Sequence, residues 1–179
     1  MPTLQAKERY DARPCLSVAV FVQILLGYKK RGFGRGLWNG FGGKVDSGET
    51  FLQAACRELE EEAGITAPLE HRGTIFFKNA DTKEAAHIEV FYADEYSGSI
   101  METDEMRPQW FSIDADAEPS NTTSDLQPIP FGQMWEEDPM WFPLMLSKRP
   151  FAGRVDFGPD GRLRKWWFAE VPAATLIST

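Results

Sequence analysis

The sequence predicts a single mixed α+β domain, and three observations carry that prediction. Runs rich in β-branched and aromatic residues recur along the chain, from residues 17–26 (SVAVFVQILL) to residues 163–171. One segment, beginning at Thr50, has the cap, the period and the stop of an amphipathic helix. Strands interspersed with few helices point to the mixed class rather than to a regular strand–helix alternation.

The elements follow in order. Residues 1–14 read as a loose or weakly docked leader. Residues 17–26 read as a buried strand or tight hairpin. A basic, glycine-rich stretch follows at 27–36 (GYKKRGFGRG), then a short aromatic strand at 37–41 (LWNGF) running into Gly42-Gly43. At Thr50 the hydroxyl can cap the first helical turn, and Gln53 completes a capping box. Leu52, Ala55, Cys56, Leu59 and Ala63 recur at helical spacing as one apolar face, and Gly64 is the stop. Residues 73–77, 87–92 and 109–113 read as strands. Residues 114–128 are polar and aperiodic, which predicts a loop. A short apolar helix over 139–149 is limited by Pro143. Residues 151–157 and 163–171 flank Gly158-Pro159-Asp160-Gly161 and predict a final hairpin. The domain is thus expected over 15–173, with 174–179 as a tail.

Composition narrows the class. With 179 residues, 42% hydrophobic and 26% charged, the chain suits one soluble domain that buries a core without disulfides. No apolar run approaches the ~20 residues that span a bilayer, and the polar N-terminus lacks a signal peptide. A cytoplasmic, nuclear or mitochondrial protein is expected. Cys15 and Cys56 fit no metal or disulfide pattern and read as free thiols. His71 and His87 show no ligand spacing and read as structural or surface residues. A net charge of −8 disfavours binding to a nucleic-acid polymer. A small anion remains open to it where metal ions bridge the two negative partners. A monomer is expected.

The helix has a second, charged face. Glu58, Glu61 and Glu62 stand at i, i+3, i+4, so their carboxylates share one side. Glu60 points elsewhere. Like charges so placed repel, unless cations neutralise them, and grouped hard oxygens suit Mg²⁺ or Mn²⁺. Just upstream, Gly40, Gly42, Gly43 and Gly48 permit close backbone approach. Arg57 is placed to hold a loop carboxylate, Glu49 among the candidates, in a bidentate contact. Lys29, Lys30, Arg31 and Arg35 form a basic cluster that faces either phosphate or solvent.

At this point the chain resembles a known family. Gly43, Glu49, Arg57, Glu58, Leu59, Glu61, Glu62, Gly64 and Ile65 match every defined position of the Nudix signature, G-x5-E-x7-R-E-U-x-E-E-x-G-U. Residues 27–43, 104–110 and 134–143 look like the branch of MutT-type oxidised purine nucleoside triphosphatases, which act on 8-oxo-dGTP and 2-hydroxy-dATP. The resemblance implies an α/β/α sandwich with a mixed β-sheet, whose box forms loop–helix–loop. It implies Mg²⁺-dependent hydrolysis, Mn²⁺ being the alternative, that releases pyrophosphate and leaves a monophosphate; a Nudix hydrolase of another nucleotide, such as a dinucleoside polyphosphate, and a non-catalytic nucleotide-binding module are the alternative readings. It implies metal ligands at the Gly42 carbonyl, Glu58, Glu61, Glu62 and Glu105, with Arg57 in the catalytic group. Glu61, Glu62 and Glu105 remain open as the proton acceptor. The implied substrate site comprises Ser17, Lys29, Asn39, Phe41, Gly42, Gly43, Lys44 and Trp135, Glu136, Glu137 and Asp138. Trp135 offers a stacking surface, and Asn39 offers both a donor and an acceptor. Where the branch has two neighbouring aspartates this chain has Glu137-Asp138, with one extra methylene at the first.

Overall fold

The computed structural model describes residues 10–20, 23–80, 85–113 and 126–176. Ten strands are present among them: β1 Tyr10–Val20, β2 Gln23–Lys29, β3 Trp38–Asn39, β4 Ile65–Thr66, β5 Glu70–Asn79, β6 Ala85–Ala93, β7 Ser97–Gly98, β8 Met106–Ser112, β9 Phe151–Phe157 and β10 Leu163–Glu170. Two α-helices accompany them, α1 Phe51–Ala63 and α2 Asp138–Leu146. Eight strands form one sheet in the order β10-β9-β5-β6-β1-β2-β3, with β8 also paired to β2. The β1–β6 and β5–β9 pairs are parallel and the other pairs of this sheet antiparallel, so the sheet is mixed as expected. The two-residue strands β4 and β7 make a second, small sheet, for which the sequence offers no period.

Side chains alternate across the pleat, and the alternation divides the core in two. Ile24, Leu26, Val90 and Tyr92 meet Trp141, Phe142 and Met145 of α2 on one face. Leu25 and Phe91 meet Ala55, Leu59 and Ala63 of α1 on the other. Helix, sheet and helix thus form three layers, the α/β/α sandwich. Fully burying Leu59 contributes about 2 kcal/mol by apolar area alone.

Helix α1 starts as its sequence predicts. The Thr50 hydroxyl accepts from the Gln53 amide at 3.2 Å, and the Gln53 side chain accepts from the Thr50 amide at 2.8 Å. It stops at Gly64, whose φ of 71° is left-handed and suits glycine. The buried face is rotated from the expected one. Leu52 and Cys56 are exposed, while Ala54 and Glu62 are buried with Ala55, Leu59 and Ala63. The helix therefore offers one of its glutamates to the sheet.

Two boundaries differ from expectation. Residues 10–14 belong to β1, because they pair in parallel with Ala85 to Glu89 of β6. Pro14 is tolerated since β2 joins β1 only at residues 18–20, leaving Pro14 on an edge where no amide is needed. Residues 1–9 of the expected leader lie outside the described residues. At the other end Ala173–Leu176 forms a helical turn, and the Leu176 carbonyl lies 2.9 Å from His71 Nδ1. The expected tail is docked over its first residues. Most of the predicted loop, 114–125, lies outside the described residues, and Pro128 bridges to Ser112.

Candidate active site

Helix α1 lays its inner edge along the segment that follows β3. Glu62, at 3% exposure, accepts the Gly42 amide at 2.9 Å through one oxygen and the Lys29 ammonium at 2.8 Å through the other. Burial pushes the Glu62 carboxyl up, against the lowering effect of Lys29 and the Gly42 amide. Lys29 Nζ is also 2.5 Å from Glu105, just before β8, so one ammonium joins the helix to β8. Lys29 and Arg31 hold the Glu105 carboxyl below its usual range.

Glu58 lies one turn back and packs on bare backbone. A Cβ on Gly43 would stand 2.2 Å from a Glu58 oxygen, so only glycine leaves room for that carboxylate. Arg57 Nη1 donates to Glu58 at 2.9 Å and to Glu61 at 3.3 Å. The expected bidentate contact is present: Arg57 Nε and Nη2 donate to the two Glu49 oxygens at 2.8 and 3.0 Å. Nη2 also donates to the Lys44 carbonyl at 3.1 Å. The Arg57 guanidinium and the Asp46 amide hold the Glu49 carboxyl at about 2. The Gly42–Glu49 loop is thereby tied to the helix at both ends.

Among the described residues no three acidic, histidine or cysteine side chains converge to hold a metal ion. Lys29 and Arg57, cations of the chain itself, are paired with the carboxylates instead. The donor set is nevertheless all hard oxygen, and the Glu58 carboxylate sits against a glycine with no side chain intervening. Such a set fits Mg²⁺ or Mn²⁺ and does not fit a soft, thiolate-bound metal.

A second cluster lies beside the first. The Trp135 indole N–H donates to the Asn39 side-chain oxygen at 2.7 Å, joining positions far apart in sequence. Asn39 Nδ2 donates to the Leu37 carbonyl at 3.2 Å. Phe33 stacks on Trp135 at 5.1 Å between centroids. The Trp135 backbone amide donates to Asp138 at 3.0 Å. Glu137 and Asp138 are both buried, and burial pushes their carboxyls up to about 7 and about 8. Repulsion from Glu137 adds to the Asp138 shift. One Glu137 oxygen is buried without a hydrogen-bond partner. Glu136 faces the other way, toward the Leu163 amide at 3.4 Å.

Three further residues of the expected substrate site have other neighbours. Phe41 is fully buried beneath α1, filling the space that Gly27 leaves beside Met106, and serves packing. Lys29 stands with Glu62 and Glu105 rather than with Trp135. Ser17 pairs by backbone with Tyr92, and its side chain lies outside the described residues. Phe33 was missed by sequence reasoning. Its signal was an aromatic between two glycines, Gly32 and Gly34, both of positive φ, in an otherwise basic turn. It is 77% exposed, a large cost for a phenylalanine unless it serves a surface.

The chain matches the model of the NUDIX domain over residues 17–130. It is 49% identical to the oxidized purine nucleoside triphosphate hydrolase of Danio rerio over 146 residues, 79% of this chain and 85% of that one. It is 41% identical to the protein of the same name from Mus musculus over 150 residues, covering 83% and 88%. Its fold is similar to that of a MutT protein from Bacillus halodurans, with a TM-score of 0.68 and 24% identity over 90% of this chain and 99% of that one.

Proposed function

The chain belongs to the Nudix family, and on that premise we propose that it hydrolyses oxidised purine nucleoside triphosphates, 8-oxo-dGTP and 2-hydroxy-dATP, to the monophosphate and pyrophosphate. Such an activity clears damaged precursors from the nucleotide pool. The observation that carries this reading is the Asn39–Trp135 bond. It fastens an aromatic surface to β3, the strand that leads directly into Gly42 and the glutamate face. A purine on Trp135 would have its phosphates directed at the box.

Nudix hydrolases generally use divalent metal ions. Glu58, Glu61, Glu62, Glu105 and the Gly42 carbonyl would hold Mg²⁺ here. The bound cation would neutralise phosphate oxygens and lower the pKa of a water. The proton of that water needs an acceptor. Both Glu62 oxygens and both Glu105 oxygens face donors, whereas Glu61 is 60% exposed and, among the described residues, meets only Arg57, through one oxygen. Glu61 is thus the best-placed base. Arg57 keeps the loop closed on the helix and partly neutralises Glu58. Phe33 and Trp135 provide the base platform, and the Glu137-Asp138 pair, carrying at least one proton near neutral pH, can donate as well as accept along a purine edge.

Pyrophosphate release from 8-oxo-dGTP, 2-hydroxy-dATP and dGTP with Mg²⁺, with and without a chelator, tests the proposal. The oxidised nucleotides are expected to turn over well above dGTP, and the chelator to stop the reaction. Equal rates on dGTP and 8-oxo-dGTP would overturn it.

A further inference from the structure

Strand β10 ends the eight-stranded sheet, and among the described residues no strand pairs with its outer edge. Natural edges are usually shortened, interrupted by proline or covered. This one runs eight residues without proline and carries Trp166 and Trp167, 51% and 50% exposed. The pairing with β9 places the two indoles on opposite faces. Trp166 and Phe168 lie opposite Val155 and Gly153 on the α2 side, with their ring centroids 6.1 Å apart. Trp167 lies opposite Arg154 on the other side.

We propose that β10 is the interface of a homodimer, in which the β10 strands of two copies pair antiparallel and join their sheets across a two-fold axis. Two features select a second copy. An unpaired backbone edge is complementary to another strand, and an isologous contact needs only one surface. The strand is self-matching about Trp167. An antiparallel copy would set Trp167 against Trp167, and Trp166 against Phe168, on matching faces. A single-stranded nucleic acid is the rival occupant for tryptophans beside cations. Asp156 and Asp160, ion-paired with Arg154 and Arg164, offset those cations, and the chain as a whole carries −8. Half-covered aromatics of about 150–250 Å² each leave several hundred Å² of apolar surface to bury. That is below the ~1,200 Å² at which specific, stable interfaces begin, so the dimer is a weak one that forms with concentration.

Sedimentation of the full chain over a wide concentration range reads this out. The mass is expected to rise from one chain toward two, with a blue shift of tryptophan emission over the same range. Trp167→Lys is expected to hold the chain at one copy without changing nucleotide turnover. Trp166→Thr, which keeps strand propensity, is expected to weaken association, and it serves if the lysine variant does not fold. A single-chain mass and unshifted emission at the highest concentration would overturn the proposal, as would a dimer indifferent to both substitutions. A constant single-chain mass together with binding of a single-stranded oligonucleotide would assign the edge to nucleic acid instead.

Discussion

Gly43 shows how much chemistry one missing methyl group can hold. Its Cα is the floor on which the Glu58 carboxylate rests, and any Cβ would collide with that carboxylate at 2.2 Å. Arg57 pins the same carboxylate, so the collision cannot be relieved by a free swing. Gly43→Ala is therefore expected to lower turnover by roughly 10–100-fold, the usual cost of disturbing support around a metal ligand. The thermal midpoint should stay close to that of the parent, because the clash is local and near the surface. Unchanged kcat in a steady-state assay would show that Glu58 does not need this position. At the proposed substrate end, Glu137→Asp would give the pair of aspartates that the resemblance implies for the branch. It shortens a buried side chain that has one unpartnered oxygen. The ratio of kcat/KM for 8-oxo-dGTP over 2-hydroxy-dATP is expected to shift several-fold, with the rate of the better substrate less affected. An unchanged ratio would remove Glu137 from base selection.

At the scale of elements, α1 was the most legible part of the chain. Thr50, Gln53 and Gly64 are local signals, and each acts within its own turn. The Arg57–Glu49 contact was legible for the same reason, since it closes a loop of only a few residues. What misled was the helix face. Leu52 and Cys56 look apolar in sequence, yet Glu62 is the residue turned to the sheet, because Lys29 and the Gly42 amide receive it there. A buried carboxylate looks identical to a solvated one until its partners, distant in sequence, are known. The strands β4 and β7, two residues each, carry too few positions to show a period. The capping box can be weighed directly: Thr50→Ala is expected to cost about 1 kcal/mol. The urea midpoint should fall with no change in slope, while activity below the transition is kept.

The whole molecule depends on pairings that no local pattern announces. The parallel contacts of β1 with β6 and of β5 with β9 join segments separated by other elements, and only the folded order reveals them. One consequence is a titratable knot on β5 and β6. His71 Nε2 lies 2.5 Å from Glu89, its Nδ1 faces the Leu176 carbonyl, and Thr74 donates to Glu89 at 2.7 Å. Burial acts to lower the His71 pKa, but Glu89 and the carbonyls of Leu176 and Gly73 outweigh it and raise it above 6.5. Burial acts to raise that of Glu89, but His71, His87 and Thr74 outweigh it and hold it at about 2. The histidine contribution is thus complete below pH 6.5 and lost as pH rises through the raised value. The glutamate contribution is complete above 4.5 and lost as pH falls toward 2. The stability difference between the parent and His71→Gln should be largest between these limits and shrink on the alkaline side. A difference constant from pH 6 to 9 in denaturant titrations would dissociate His71 from the effect. The Asn39–Trp135 bond has a consequence of another kind, which concerns the order of synthesis. The glutamate box leaves the ribosome well before Trp135 is translated, and β9 later still. A nascent or truncated chain ending before residue 131 would keep the glutamate box, Phe33 and Asn39 but lack Trp135 and the Glu137-Asp138 pair. On the proposed reading, premature termination there would remove base selection, and it would leave β5 without its β9 partner as an open edge for quality control to find.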